Sequence, residues 1–100
     1  MKKVFVYGIL LQDIDGPSFG IKSDFVKAKA KLPNFKREST SYIRRENGSH
    51  VEGEYLELPD ELEEEIYRFE KQFGYERSLE NIITEDGKMK EDVIVYLVED

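Results

Sequence analysis

Two segments near opposite ends of this chain, Val4-Phe5-Val6-Tyr7 and Val93 to Val98, are apolar at consecutive positions. Side chains of a strand point alternately to its two faces, so a strand that is apolar at every position has to be covered on both sides. Each segment therefore reads as a central strand, the first spanning residues 2–10 and the second residues 89–98. One hundred residues suffice for one domain, residues 1–100, with a single modest core, because so short a chain buries only about two thirds of its unfolded surface.

The remaining elements follow from periodicity and turn chemistry. Residues 25–32 alternate, with Val26, Ala28, Ala30 and Leu32 on one side and Lys27, Lys29 and Lys31 on the other, which predicts a half-buried strand ended by Pro33-Asn34. Residues 40–45 and 50–58 flank Glu46-Asn47-Gly48-Ser49, and Asn-Gly suits the positive φ angles of a tight turn, so these predict a hairpin. A second hairpin is expected from residues 76–84 and 89–98 around Asp86-Gly87. Between the hairpins, residues 60–73 predict a helix. Asp60 and Glu63 have capping-box spacing, Leu62, Ile66, Phe69 and Phe73 share one stripe, and Gly74 ends it. Six strands and one helix imply a mixed α+β fold, in which a mostly antiparallel sheet closes or nearly closes on itself with the helix packed against it.

Composition narrows the function classes. A net charge of −7 works against phosphate-backbone binding, and the lysines of residues 25–32 read as the wet face of a strand rather than a nucleic-acid patch. Without cysteine there is no disulfide, thiolate metal site or thiol nucleophile, and nothing calls for an oxidising compartment, so a cytoplasmic setting is expected. His50 is the single histidine, which excludes a multi-histidine metal site, and just after the turn-like Asn47-Gly48-Ser49 it reads as an exposed loop residue. The opening Met-Lys-Lys with its apolar run imitates a signal peptide, but polar Gln12-Asp13 follows with no small-residue cleavage pattern, and a buried first strand accounts for it better. No run reaches the length of a membrane span.

Three features could carry chemistry. Glu70 and Glu65 flank the predicted helical stripe on opposite sides, and periodicity does not choose between them; Glu61, Glu63 and Glu64 point further out and read as solvating charges. A glycine at a strand end, in Tyr7-Gly8-Ile9-Leu10, lets backbone amides approach an anion, although such a glycine by itself is more often a bulge or turn. Tyr55, Tyr75 and Tyr96 lie on predicted strands, where aromatic residues usually fill the core.

In order and spacing, these segments resemble the gamma-glutamylcyclotransferase-like (AIG2-like) family. Tyr7-Gly8-Ile9-Leu10 is similar to its Tyr-Gly-Ser/Thr-Leu motif, and Val51-Glu52-Gly53-Glu54-Tyr55 to its Val-x-Gly-Glu-x-Tyr strand. Ile66-Tyr67-Arg68-Phe69-Glu70-Lys71 followed by Tyr75-Glu76-Arg77 resembles its Leu-Asp-x-Phe/Tyr-Glu-Gly segment and Tyr-x-Arg. The resemblance runs from Val4 to Val98 and implies a small β-barrel enzyme, independent of metal and cofactor, that cyclises a gamma-glutamyl group to 5-oxoproline and releases the attached amine or amino acid. It further implies Glu70 as general acid/base, Tyr7, Gly8, Ile9 and Leu10 as the substrate loop, and Tyr75 as a pocket tyrosine. The partner implied is a small gamma-glutamyl substrate, with no nucleic acid and no membrane. The chain differs from the family pattern at Ile9, which replaces a hydroxyl residue, at Tyr67, which replaces an aspartate, and at Lys71, which replaces a glycine. Leu11-Gln12-Asp13 stands in place of the family's basic stretch. These differences favour a second reading, a non-catalytic pocket protein that binds a small anion or metabolite on the same fold. A third, an adaptor working through its acidic face, rests on net charge alone.

Overall fold

The computed structural model describes residues 1–7, 26–39 and 42–98. Among them, five strands and one helix follow in the order β1 (Lys2–Val6), β2 (Lys27–Arg37), β3 (Ile43–Leu58), α1 (Asp60–Lys71), β4 (Tyr75–Thr84) and β5 (Met89–Val98). The strands close into a barrel in the order β1-β3-β2-β4-β5. Every seam is antiparallel except β1–β5, where Val4 lies beside Ile94 and Phe5 beside Val95. Closure pairs each of these strands on both sides, which removes the exposed edges that an open sheet would present.

β1 and β5 are central strands, as their two-sided apolarity predicts. Phe5 and Tyr7 point into the barrel with Leu32, Phe35, Val51, Ile82, Val93 and Val95. Val4 and Val6 point outward and pack with Leu56, Leu58, Ile94 and Tyr96 beneath Ile66 of α1. Val4, Phe5 and Val6 are all completely buried. Burial of each such side chain contributes about 1.5–3 kcal/mol, so a three-residue stretch ties the barrel interior to the helix layer.

The structure corrects the first predicted hairpin and brings the strand count from six to five. Asn47-Gly48 does not reverse the chain, because residues 43–58 form one long strand whose two halves pair with the same neighbour, β2. The register jumps from Pro33 opposite His50 to Phe35 opposite Arg45, so the single residue Asn34 faces residues 46–49. The positive φ of Gly48 (88°) and of Asn34 (66°) is taken up in this bulge, where the Gly48 N–H donates to Asn34 Oδ1 at 3.2 Å. The hairpin is formed by β2 and β3 instead, and at its end the Glu38 and Ser39 amides donate to the Tyr42 carbonyl. β2 therefore runs past Pro33-Asn34, and the bulge shifts its inward-facing positions from Ala30 and Leu32 to Phe35. His50 is exposed, although it lies on β3 and not in a loop. The second hairpin forms as expected, with the Gly87 N–H donating to the Thr84 carbonyl at 2.9 Å.

α1 departs from prediction in its cap and its buried face. Pro59 is the N-cap, with no side-chain cap bond, and its carbonyl accepts the amides of Leu62 and Glu63 at 3.1 Å. Glu63 is not a capping residue. The face turned to the barrel carries Glu63, Ile66 and Glu70, while Phe69 and Phe73 face outward and meet edge to face, Phe73 being 62% exposed. The helix is rotated toward its carboxylates because β4 and β5 present polar partners beneath it. The Gly74 N–H donates to the Lys71 carbonyl just beyond the helix end. Among the described residues, no helix is long and apolar enough to cross a membrane.

Candidate active site

Tyr7 at the end of β1 and Glu70 in the last turn of α1 are near enough to influence each other electrostatically. Tyr7 follows β1 directly, is buried, stacks on Phe5 at 6.3 Å between ring centroids and donates its hydroxyl to the Tyr96 carbonyl at 2.6 Å. Its pKa is pushed well above the ordinary tyrosine value, first by burial and then by the neighbouring Tyr75 and Glu70, with Arg37 opposing. Those influences place Tyr7, Tyr75 and Glu70 in one neighbourhood. The Arg37 guanidinium lies 5.9 Å from the centre of the Tyr7 ring.

Burial separates the two glutamates that periodicity left equivalent. Glu70 is 7% exposed on the inner face of α1, whereas Glu65 is exposed to solvent. Tyr75 opens β4 opposite Val98 and packs, half-buried, against the layer beneath the helix. Gly8, Ile9 and Leu10 lie outside the described residues. β1 itself packs tightly against Gly53 on β3. A Cβ at residue 53 would come within 2.2 Å of the Val6 carbonyl oxygen and 2.7 Å of the Phe5 ring, contacts that no side chain tolerates. The glycine of the Val-x-Gly-Glu-x-Tyr segment is thus a close-approach residue that leaves room for the end of β1 beside β3.

Beside this trio lies a polar network that sequence reasoning missed. Glu63, read there as a solvating charge, is completely buried. Arg77 grips it as a fork, Nη2 to Oε1 at 2.7 Å and Nε to Oε2 at 3.1 Å, and the Tyr96 hydroxyl donates to Oε2 at 2.7 Å. Burial, followed by the Glu63 carboxylate, raises the Tyr96 pKa; Glu70 adds to the effect and Arg77 opposes it. The available signal was the spacing of Glu63, Ile66 and Glu70 at i, i+3 and i+7. Two of the departures from the family pattern, Tyr67 and Lys71, also touch this region. The Lys71 ammonium sits 5.6 Å and the Arg77 guanidinium 3.9 Å from the centre of the Tyr67 ring, whose hydroxyl donates to Glu76 at 2.6 Å.

Among the described residues, no group of three or more histidines and carboxylates is placed to hold a metal ion. A separate groove of about 630 Å³ is lined by Lys29, Lys31, Glu52, Glu54 and Glu85, and by none of Tyr7, Glu70 and Tyr75. Register sets Lys29 opposite Glu54 and Lys31 opposite Glu52, and the Glu54 carboxylate pairs with Lys27 at 3.2 Å.

The model of the family described as gamma-glutamyl cyclotransferase, AIG2-like, matches residues 4–100. The chain belongs to this family. Solved structures agree on the fold. A protein from Arabidopsis thaliana superposes with a TM-score of 0.76 at 24% identity, over 99% of this chain and 69% of that one. A protein from Homo sapiens gives 0.77 at 19% identity over 99% and 67%, and a structure titled gamma-glutamyl cyclotransferase gives 0.72 at 20% over 99% and 67%. No curated protein matches the sequence at a significant level. At these identities, the structural likeness speaks for the barrel and its helix, and the family membership rests on the sequence match over nearly the whole chain.

Proposed function

We propose that the chain is a cyclotransferase that converts a gamma-glutamyl amine or gamma-glutamyl amino acid to 5-oxoproline and a free amine, with Glu70 as general acid/base. The observation that carries this reading is a buried carboxylate, Glu70, in one neighbourhood with Tyr7 and Tyr75 at the exit of β1. The reaction asks little of the protein. The substrate's α-amine attacks its own γ-carbonyl carbon, the new C–N bond closes a five-membered ring, and the old C–N bond to the departing amine breaks. Two protons leave the ammonium nitrogen as it becomes the lactam N–H. The Glu70 carboxylate takes the first before attack and the second after ring closure and hands each to the departing nitrogen, which leaves as an ammonium, so proton and electron counts balance without a co-reactant.

Holding the substrate curled supplies most of the remaining acceleration, since ring closure is intramolecular. In this reading, the amides of Gly8, Ile9 and Leu10 hold the α-carboxylate, and Tyr75 lines the pocket beside Glu70. Absence of cysteine from the chain is in keeping with a cytoplasmic setting. The second reading, a small-anion or metabolite binder without turnover, draws its support from Lys71 and Tyr67, which meet one another next to Glu70 at positions where the family carries glycine and aspartate. A 5-oxoproline release assay over gamma-glutamyl amines and dipeptides separates the two. Product from any substrate supports the enzyme, and binding without product across the panel supports the binder.

A further inference from the structure

Glu63 is a completely buried carboxylate for which the proposed chemistry has no use. It lies seven residues before Glu70, about 10.5 Å along the helix and roughly 20° around it, so the two carboxylates sit almost in line on α1. Each of its partners belongs to a different strand. Arg77 of β4 makes the two-point fork, Tyr96 of β5 donates its hydroxyl, and the Tyr96 carbonyl in turn accepts the hydroxyl of Tyr7 at the end of β1. Arg77 is itself held, by Glu64 at 2.8 Å and by the face of Tyr67. Burial works against its charge, and the hydrogen bonds it donates to Glu63 and Glu64, with their charges, outweigh that effect.

We infer that the Glu63–Arg77–Tyr96 network is a positioning device, which fixes the rotation of α1 and thereby sets the Glu70 carboxylate against Tyr7 and Tyr75. What that position serves rests on the functional reading above; the contacts themselves do not. Stability is a poor explanation for the network, because apolar replacements of buried ion pairs are often neutral or stabilising. Directionality is a better one. A helix lying on apolar side chains can roll by a few degrees at little cost, whereas a planar guanidinium fork admits one orientation of its carboxylate. Pinning Glu63 pins Glu70 one line further up, and small displacements of a reacting group cost up to about a hundredfold in rate.

The test compares the wild-type chain with Arg77→Lys, which keeps the charge and loses the fork, and with the triple variant Glu63→Met, Arg77→Met, Tyr96→Phe, which removes every side-chain polar atom of the network but leaves the Tyr96 carbonyl for Tyr7. Melting temperature, kcat and KM for 5-oxoproline release, and the 13C titration of the Glu70 carboxyl are measured for each. For Arg77→Lys, kcat should fall about tenfold to a hundredfold while KM stays within about threefold. The triple variant should melt near wild type yet show the same loss in kcat, and the Glu70 carboxyl should titrate differently in both. A triple variant with wild-type melting and wild-type kcat overturns the inference, as does full activity in Arg77→Lys, which alone decides if the triple variant does not fold. Should the wild type turn over no substrate, the functional reading fails, and the Glu70 carboxyl signal decides: a titration identical in wild type and Arg77→Lys overturns the positioning role.

Discussion

The two faces of β1 and β5 look onto layers of different chemistry. Inside the barrel, Phe5, Leu32, Phe35, Val51, Ile82, Val93 and Val95 form a cluster of apolar side chains, while the layer under α1 mixes Val4, Val6, Leu56, Leu58 and Ile66 with Glu63, Glu70 and Tyr96. The inner layer is apolar except for Tyr7 and Tyr55, whose hydroxyls reach the Tyr96 carbonyl and the Glu57 carboxylate. The outer layer gives up some apolar burial for groups that hydrogen-bond in one geometry, and Glu70 belongs to it. Substitutions in the two layers should therefore fail in different ways, the inner ones by unfolding and the outer ones by losing function while the fold persists.

The largest effect is expected from Phe5→Ala, which deletes a fully buried ring at the centre of the inner layer. It should cost about 3–5 kcal/mol in denaturant unfolding. A cost below about 1 kcal/mol would show that the inner layer is not the stability core and would remove the contrast. Gly53→Ala should cost less, about 1–3 kcal/mol, because the added methyl runs into the Val6 carbonyl and the Phe5 ring and β1 has to shift. This variant sharpens the comparison, because Tyr7 follows directly: ligand binding should weaken more than stability alone predicts. Unaltered binding in a folded Gly53→Ala protein would mean that the β1 exit does not shape the site.

A smaller effect follows from Tyr7 and Tyr96, whose pKa values are raised in the folded state by burial and neighbouring carboxylates. Above the ordinary tyrosine value of about 10, an unfolded chain releases phenolic protons that the folded chain keeps, so the stabilising contribution is full below about pH 10 and is lost as pH rises beyond it. Phenolate absorbance should accordingly reveal late-titrating tyrosines whose ionisation coincides with unfolding. All tyrosines titrating together near pH 10 in a folded protein would contradict the buried hydrogen bonds of both.

Much of the barrel was legible because its strands are defined by short-range signals. Two-sided apolarity identified β1 and β5, alternation identified the start of β2, and Asp86-Gly87 marked a true turn. Asn47-Gly48 misled because the positive φ it favours serves a bulge as well as a turn, and only the pairing of both flanks with β2 distinguishes them. The helix was placed correctly and rotated wrongly. Apolar spacing nominated Phe69 and Phe73 for the buried face, but the position of Glu63 depends on Arg77 and Tyr96, residues 14 and 33 positions away in sequence. Periodicity carries no information on such partners. The choice of Glu70 over Glu65 came from family resemblance; in the structure the two differ in burial, Glu70 lying on the inner face and Glu65 exposed.

The central claim, that the outer layer carries proton transfer at Glu70, is tested most directly by the rate of 5-oxoproline release and the melting temperature of Glu70→Gln beside Glu65→Gln. The amide keeps the shape of the side chain but cannot take the proton, so Glu70→Gln should lose on the order of a hundredfold to ten-thousandfold in rate. Its melting temperature should remain near that of wild type. Glu65→Gln, at an exposed position, should stay within about 0.5 kcal/mol in stability and close to wild type in rate. An active wild-type protein that keeps its rate after Glu70→Gln would contradict the assignment.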